Sequence, residues 1–250
     1  MRKYLSELIG TLVLVLFGCG VAVFTNADIV ATSLAFGLSI IALAYVIGNV
    51  SGCHVNPAIT ISMLIDKRIT LKDAILYIIS QVIGAILGTL LLMFIIKSSS
   101  IGEIQFVGLG QNGYGSASAV NLNLFAALVA EVILTFVFTF AVLGVTADSK
   151  KHAVAPIVIG LTLAFVHLLG IKLTGTSVNP ARSLAPAIFM GGQALEQVWV
   201  FIVGPFIGAI LAAFIYKFIK VPEEKEEVVK EVKIEIKKTT PAKKTTKKAK

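Results

Sequence analysis

Charge is scarce in this 250-residue chain: Asp, Glu, Lys and Arg make up 14% of it against 56% hydrophobic residues, and the mean hydropathy is +0.90. Soluble domains carry about twice that share of charge, so this composition excludes an ordinary soluble fold and places the chain in lipid. Cysteine is almost absent. Cys19 and Cys53 are too few for a disulfide framework, and Cys19 sits in an apolar run where a free thiol packs as a small hydrophobe. Of the three histidines, His54 has no partner at metal-ligand spacing and His152 falls in a loop, so no metal site is expected. There is no Gly-rich phosphate cradle followed by Lys and Ser/Thr, and no recognisable nucleophile and base set. The sequence therefore reads as neither an enzyme nor a cofactor protein.

The charge that is present is unevenly placed. Residues 1 to 216 hold 10 Lys/Arg against 8 Asp/Glu, and residues 217 to 250 hold 12 against 6. The body is thus nearly neutral, and residues 220 to 250 form a charged, Lys-rich tail, expected to be disordered beyond about Lys237. Because the tail follows an apolar span, anionic lipid is a nearer partner for it than nucleic acid. Arg2 and Lys3 open an apolar run of about 20 residues without a small-residue cleavage site, which reads as a first span rather than a removed signal.

Six segments are long and apolar enough to cross a bilayer: residues 4 to 25, 33 to 50, 73 to 97, 122 to 146, 153 to 171 and 198 to 219. No alternating barrel pattern is present, so each is read as a helix. Arg2, Lys3, Lys67, Arg68, Lys72, Lys150, Lys151 and the tail fall on one face, which is expected to be cytoplasmic and to hold both termini. Small residues in the third span (Gly84, Ala85, Gly88) and the sixth (Gly204, Gly208, Ala209, Ala212, Ala213) allow close helix approach.

Two further apolar segments, 56 to 65 and 179 to 190, are about half a span long, and each begins Asn-Pro-Ala. They can enter a membrane but not cross it, and proline at the second position suits a helix start. The octapeptide Ser51 to Ala58 lies 123 residues before Thr174 to Ala181, the same offset pairs Gly37 with Gly160, and an offset of 124 pairs Glu7 with Glu131. Two homologous halves, about residues 1 to 97 and 122 to 219, make one channel domain over residues 1 to 219. With three spans in each, the second enters from the opposite face, and the repeats are inverted. The two half-helix starts can then meet near the midplane.

Paired Asn-Pro-Ala motifs (Asn56, Pro57, Ala58 and Asn179, Pro180, Ala181), with Arg182 after the second and a Glu in the first and fourth spans, resemble the aquaporin (major intrinsic protein) family over residues 4 to 219. The resemblance is nearest to its water-selective prokaryotic members. It implies an all-α membrane bundle of six transmembrane helices plus two re-entrant half-helices, assembled as a homotetramer with a pore in each subunit. A pore must replace the hydrogen bonds that water loses on leaving bulk. Irregular backbone at Gly52, Cys53, His54 and Val55, and at Gly175, Thr176, Ser177 and Val178, would leave carbonyls to line a cavity, and the family places its water-accepting ladder there. Asn56 and Asn179 would donate at the midplane, or cap their half-helices, two compatible roles.

By the same resemblance the narrow filter falls on Phe36, His167, Thr176 and Arg182, the water-type combination. Taken singly, Arg182 reads equally as an interfacial anchor, His167 as a core histidine and Phe36 as packing. Glycerol-conducting members typically carry a Trp and Phe pair, Gly at the histidine position and Asp after the second motif, where this chain differs. Glu7 and Glu131 are intramembrane carboxylates; the resemblance assigns them to supporting backbone N–H groups of the two loops. The implied function is passive, bidirectional water flow that excludes protons and ions, in a prokaryotic plasma membrane. The alternatives are a facilitator for glycerol, ammonia or hydrogen peroxide, a proton-coupled transporter using Glu7, Glu131 and His167, and a junction protein of low permeability. The Cys53 thiol could approach the pore and make it sensitive to thiol-reactive metals.

Overall fold

The computed structural model describes residues 1–101, 103, 107–148 and 151–220. The expected tail lies at residues 221–250, outside the described residues. The chain divides into Met1–Tyr216 and Lys217–Lys250, and of the second unit residues 217–220 are described.

Nine α-helices are described: α1 (Arg2–Phe24), α2 (Ile29–Ser51), α3 (Pro57–Ile65), α4 (Leu71–Lys97), α5 (Leu124–Thr146), α6 (Ala155–Thr174), α7 (Pro180–Met190), α8 (Gly192–Gln197) and α9 (Val200–Ile219), with a 3-10 turn at Gly115–Ala117. By length and composition six segments can cross a membrane, the sixth running Gly192–Ile219 through α8 and α9. The half-helices α3 and α7, of 9 and 11 residues, rise only about 14 to 17 Å at 1.5 Å per residue. That is half a hydrocarbon core of about 30 Å.

Helix ends follow local chemistry. Asp28 accepts from the Ala31 N–H at 2.7 Å, which starts α2 four residues before the expected span. Thr70 and Asn123 cap α4 and α5 in the same way. Helix α6 runs three residues past the expected end, through Lys172 to Thr174, and stops at Gly175, whose φ of 77° is the left-handed geometry that glycine adopts freely.

The packing is inside out relative to a soluble protein. Phe17, Ile133, Phe165 and Phe214 face outward, whereas Glu7, Gln81, Asn56, Glu131, Asn179 and Arg182 are buried. Lipid makes this arrangement favourable: apolar side chains meet acyl chains, and polar ones must find partners inside. Helix α1 packs on α4 and α2, α2 on α6, and α5 on α6. Where α4 crosses α1, a side chain at Gly84 would collide with the carbonyl of Leu8. Where α9 crosses α5, one at Gly208 would collide with that of Val132. These crossings are 124 residues apart in both members. At the centre, a Cβ on Gly37 would sit 2.6 Å from the Gly160 carbonyl, and one on Gly160 would strike that of Gly37. The 124-residue offset seen in the sequence thus recurs in the two glycine crossings.

Because the neighbour at Gly84 is backbone and cannot rotate away, Gly84→Leu is expected to destabilise the bundle by about 3 kcal/mol, the upper end for overpacking. Thermal unfolding in detergent, with Leu90→Ala on an exposed face as control, measures it. An unchanged midpoint for Gly84→Leu would contradict the close crossing.

Candidate functional site

The site begins with two stretches of non-helical backbone. Gly52, Cys53 and Val55 have φ of 85°, 51° and 42°, and Gly175, Thr176 and Val178 have 77°, 50° and 46°. Positive φ in Val and Thr is disfavoured, at about 1–3 kcal/mol each, and persists only where the surroundings over-determine it. Both loops hold the same strained sequence of turns.

What over-determines them is a buried carboxylate in each half. The Glu7 carboxylate accepts from the Ser51 hydroxyl (2.7 Å), the His54 N–H (3.0 Å), the Val55 N–H (2.6 Å) and the Gln81 amide (2.7 Å). That of Glu131 accepts from the Thr174 hydroxyl (2.6 Å), the Ser177 N–H (2.9 Å) and the Val178 N–H (3.0 Å). Ser51 and Thr174, at equivalent repeat positions, also accept from the Cys53 and Thr176 N–H groups. All three N–H groups at residues 53–55 and at 176–178 are therefore bonded. In a trans peptide the carbonyl points opposite to the N–H. The carbonyls of Gly52, Cys53 and His54, and of Gly175, Thr176 and Ser177, are thereby turned away from the carboxylates and their serine or threonine partner.

The asparagines do more than sequence reasoning expected. Asn56 Oδ1 accepts from the Ala58 N–H at 2.8 Å, and Asn179 Oδ1 from those of Ala181 at 3.1 Å and Arg182 at 3.3 Å. Both therefore cap their half-helices, with Pro57 and Pro180 at the first helical position. Each amide nitrogen also crosses to the other half: Asn56 Nδ2 donates to the Val178 carbonyl at 2.8 Å, and Asn179 Nδ2 to that of Val55 at 2.9 Å. The Val55 and Val178 carbonyls, read from sequence as open ladder rungs, thus each hold an amide. One N–H per asparagine remains for another acceptor.

The four residues expected at the filter are all buried, and three are in ring contact. Phe36 stacks on His167 with centroids 4.4 Å apart, and the Arg182 guanidinium lies 5.1 Å from the Phe36 ring centre. Thr176 is fully enclosed, its hydroxyl tight against Gly170. Arg182 Nη1 donates to the Gly110 carbonyl at 2.7 Å and to Asn112 Oδ1 at 3.1 Å, and Nη2 to the Gly175 carbonyl at 3.4 Å. Asn112 is held in turn by the Ser183 hydroxyl and by its own bond to the Thr174 carbonyl. Sequence reasoning missed this clamp. The only signals for it were Gly108 and Gly110 in an otherwise featureless loop, where φ is 74° and 69°.

Three cavities lie in succession. A vestibule of about 570 Å³ is bordered by Tyr45, Asn49, His54, Arg68, Thr146 and His152. A space of about 30 Å³ follows, with Gly52, Cys53, His54 and Met63 on its wall. The last, about 10 Å³, touches Phe36, His54, Asn56, His167, Asn179 and Arg182. That is room for a single water. His167 Nε2 and Arg182 Nε, on two of the residues bordering this cavity, are buried without a protein partner. Among the described residues no group of three or more His, Cys, Asp or Glu side chains gathers as a metal site would require.

The model of the major intrinsic protein family matches residues 1–216, and the chain belongs to that family, the aquaporins. It is 44% identical over 222 residues to Aquaporin Z of Rhodopseudomonas palustris, covering 86% of this chain and 92% of that one. It is also 44% identical over 216 residues to glycerol uptake facilitator protein-like 6 of Lactiplantibacillus plantarum, covering 86% and 96%. In three dimensions it is similar to the aquaglyceroporin from Plasmodium falciparum, with a TM-score of 0.75 over 87% of this chain and 96% of that one at 24% identity, a likeness of fold.

Glu131→Gln is expected to turn an amide NH2 toward the Ser177 or Val178 N–H, leaving a buried donor unpaired at about 1–3 kcal/mol. A lower melting midpoint in detergent, with unchanged helix content by circular dichroism, is the expected reading. An unaltered midpoint would remove Glu131 from its supporting role.

Proposed function

We propose that this chain is a passive water channel, conducting in both directions under osmotic gradients in a bacterial plasma membrane. The observation that carries the reading is the 10 Å³ cavity lined by Asn56, Asn179, His167 and Arg182, the last two with Nε2 and Nε buried and without a protein partner. It offers a lone water a donor or an acceptor at each step, which offsets the cost of leaving bulk water. The spare N–H of Asn56 and of Asn179 would hold that water by its oxygen, and the half-helix N-termini add positive potential from both sides. A water so held turns its hydrogens outward and cannot hand a proton along the file. The fixed charge of Arg182 repels cations. Phe36, His167, Thr176 and Arg182 form the filter, and the carbonyls of Gly52, Cys53, His54, Gly175, Thr176 and Ser177 the ladder.

The same reading takes residues 1 to 219 as one channel domain of two inverted halves, with both termini cytoplasmic and the subunit working in a homotetramer. It gives the chain no enzymatic step. Names among the relatives support it, since several bacterial ones at 42–44% identity are called Aquaporin Z. The glycerol uptake facilitator-like relative keeps a second reading, transport of a small neutral solute, in play. The stacked Phe36 and His167 rings beside a cavity of about 10 Å³ favour water.

Stopped-flow osmotic shrinkage of proteoliposomes, in parallel with glycerol uptake and an internal pH dye, tests the proposal. Water permeability well above that of empty liposomes is expected, without glycerol entry or proton flux. No gain in water permeability would sink it, and glycerol entry would turn it to the second reading. Cys53 borders the 30 Å³ space. Mercurial treatment is therefore expected to cut water flow and Cys53→Ser to abolish the effect; block that persists in the variant would acquit this thiol.

A further inference from the structure

Arg182 is held mainly by a segment without regular structure. Its Nη1 bonds, 2.7 Å to the Gly110 carbonyl and 3.1 Å to Asn112 Oδ1, are shorter than the 3.4 Å bond from Nη2 to Gly175, and residues 108–114 belong to neither helix nor strand. Where the guanidinium sits therefore depends on what holds those residues. At one end Gly110 is pressed on α1, where a Cβ would lie 2.9 Å from Cys19 Cβ. In the middle the Gly113 N–H and Asn112 Nδ2 both donate to the Thr174 carbonyl, at 3.1 Å each. At the other end stands Gln197, the buried last residue of α8, which takes the Tyr114 main chain with both ends of its amide. Its Oε1 accepts from the Tyr114 N–H at 2.8 Å, and its Nε2 donates to the Tyr114 carbonyl at 3.2 Å. A backbone N–H can only donate and a carbonyl can only accept, so the amide has one orientation here.

We propose that Gln197 is a positioning residue of the filter: by gripping Tyr114 it keeps Gly110 and Asn112 where they hold the Arg182 guanidinium, a role that rests on Arg182 being the filter charge of the water channel. Gln197 itself borders none of the three cavities. Its pairing has no counterpart in the first half. The 124-residue offset of the glycine crossings sets Asp73 opposite Gln197, and Asp73 bonds the side chains of Lys3 and Tyr4. The 123-residue offset sets Ile59 opposite Arg182. The double amide bond thus occurs in the half that carries the arginine. Four residues on, the Phe201 carbonyl receives the Ser177 hydroxyl at 3.0 Å, so one short stretch of chain fastens both the Arg182 clamp and the second re-entrant turn.

The bland alternative is that Gln197 merely straps α8 to the loop. Gln193 supplies the control, since its Nε2 ties the same helix to Ser116 at 3.1 Å without reaching residues 110–112. Gln197→Met keeps the length of the side chain and removes both polar ends; Gln197→Glu keeps the acceptor for the Tyr114 N–H and gives up the donor. The chain has three arginines, Arg2, Arg68 and Arg182, so the guanidinium signals of full-length, 15N-arginine-labelled protein in detergent are few, and loss of one in Arg182→Lys identifies the filter signal. Hydrogen exchange at the Arg182 guanidinium is expected to quicken about fivefold in Gln197→Met, the equilibrium equivalent of one net hydrogen bond, with Gln197→Glu between it and the unmodified chain and Gln193→Met unchanged. In proteoliposomes the ratio of glycerol to water permeability should rise in the same order. Size-exclusion profiles verify assembly, and if Gln197→Met does not assemble, the difference between Gln197→Glu and the unmodified chain decides. Unchanged exchange at Arg182 in the Gln197 variants, or an equal rise in Gln193→Met, would overturn the positioning role whether or not the chain conducts. Absence of water conduction by the unmodified chain would overturn the channel reading and with it the selective role given to Gln197.

Discussion

Backbone that leaves the helix inside a bilayer has no water to satisfy it, and the organisation of this protein answers that constraint. Two short stretches, residues 52–55 and 175–178, leave the helical conformation, and their N–H groups would be unsatisfied in lipid. Their N–H groups are collected by Glu7 and Glu131, each with a hydroxyl neighbour at the equivalent position. Once the N–H edge is fixed, trans peptide geometry sets the direction of the carbonyl edge. The left-handed φ values at Cys53, Val55, Thr176 and Val178 are the conformational cost of that arrangement, sustained by the surrounding bonds.

The remaining features follow from holding those loops still. Half-helices α3 and α7 are started by asparagines that cap them and reach across to the other loop, so the four elements at the midplane form one closed hydrogen-bonded unit. Gly84 of α4 against α1 and Gly208 of α9 against α5 let these helices cross closely around it. Arg182 is anchored by Gly110, Asn112 and Gly175, with its Nε left unbonded. A charge carrying so many fixed partners cannot swing away from the bore.

Much of this was legible in the sequence, for a definite reason. Membrane residence follows from composition, and an inverted duplication converts two weak tripeptides into one site. Glu7 and Glu131 stood out because a carboxylate in a span is conspicuous and these two are paired by the repeat. The Asn112 clamp did not, because its contacts join residues about 70 apart through a loop with no periodicity. The crossed amides were also hidden: spacing places Asn56 and Asn179 at helix starts but does not say which carbonyl lies opposite. Helix limits shifted for local causes, the Asp28 cap and the Gly175 turn. His54 was weighed as a metal ligand and set aside; its contacts with Thr60 and Tyr77 come from residues 6 and 23 positions away, which spacing alone did not single out.

The crossed amides have a consequence for how such a protein is made. Asn56 needs the carbonyl of Val178, and Asn179 that of Val55. When the first Asn-Pro-Ala turn leaves the ribosome, its partner has yet to be synthesised. Half a chain in the membrane therefore has no finished conduit, and the bore closes around its own midpoint only when the second half arrives.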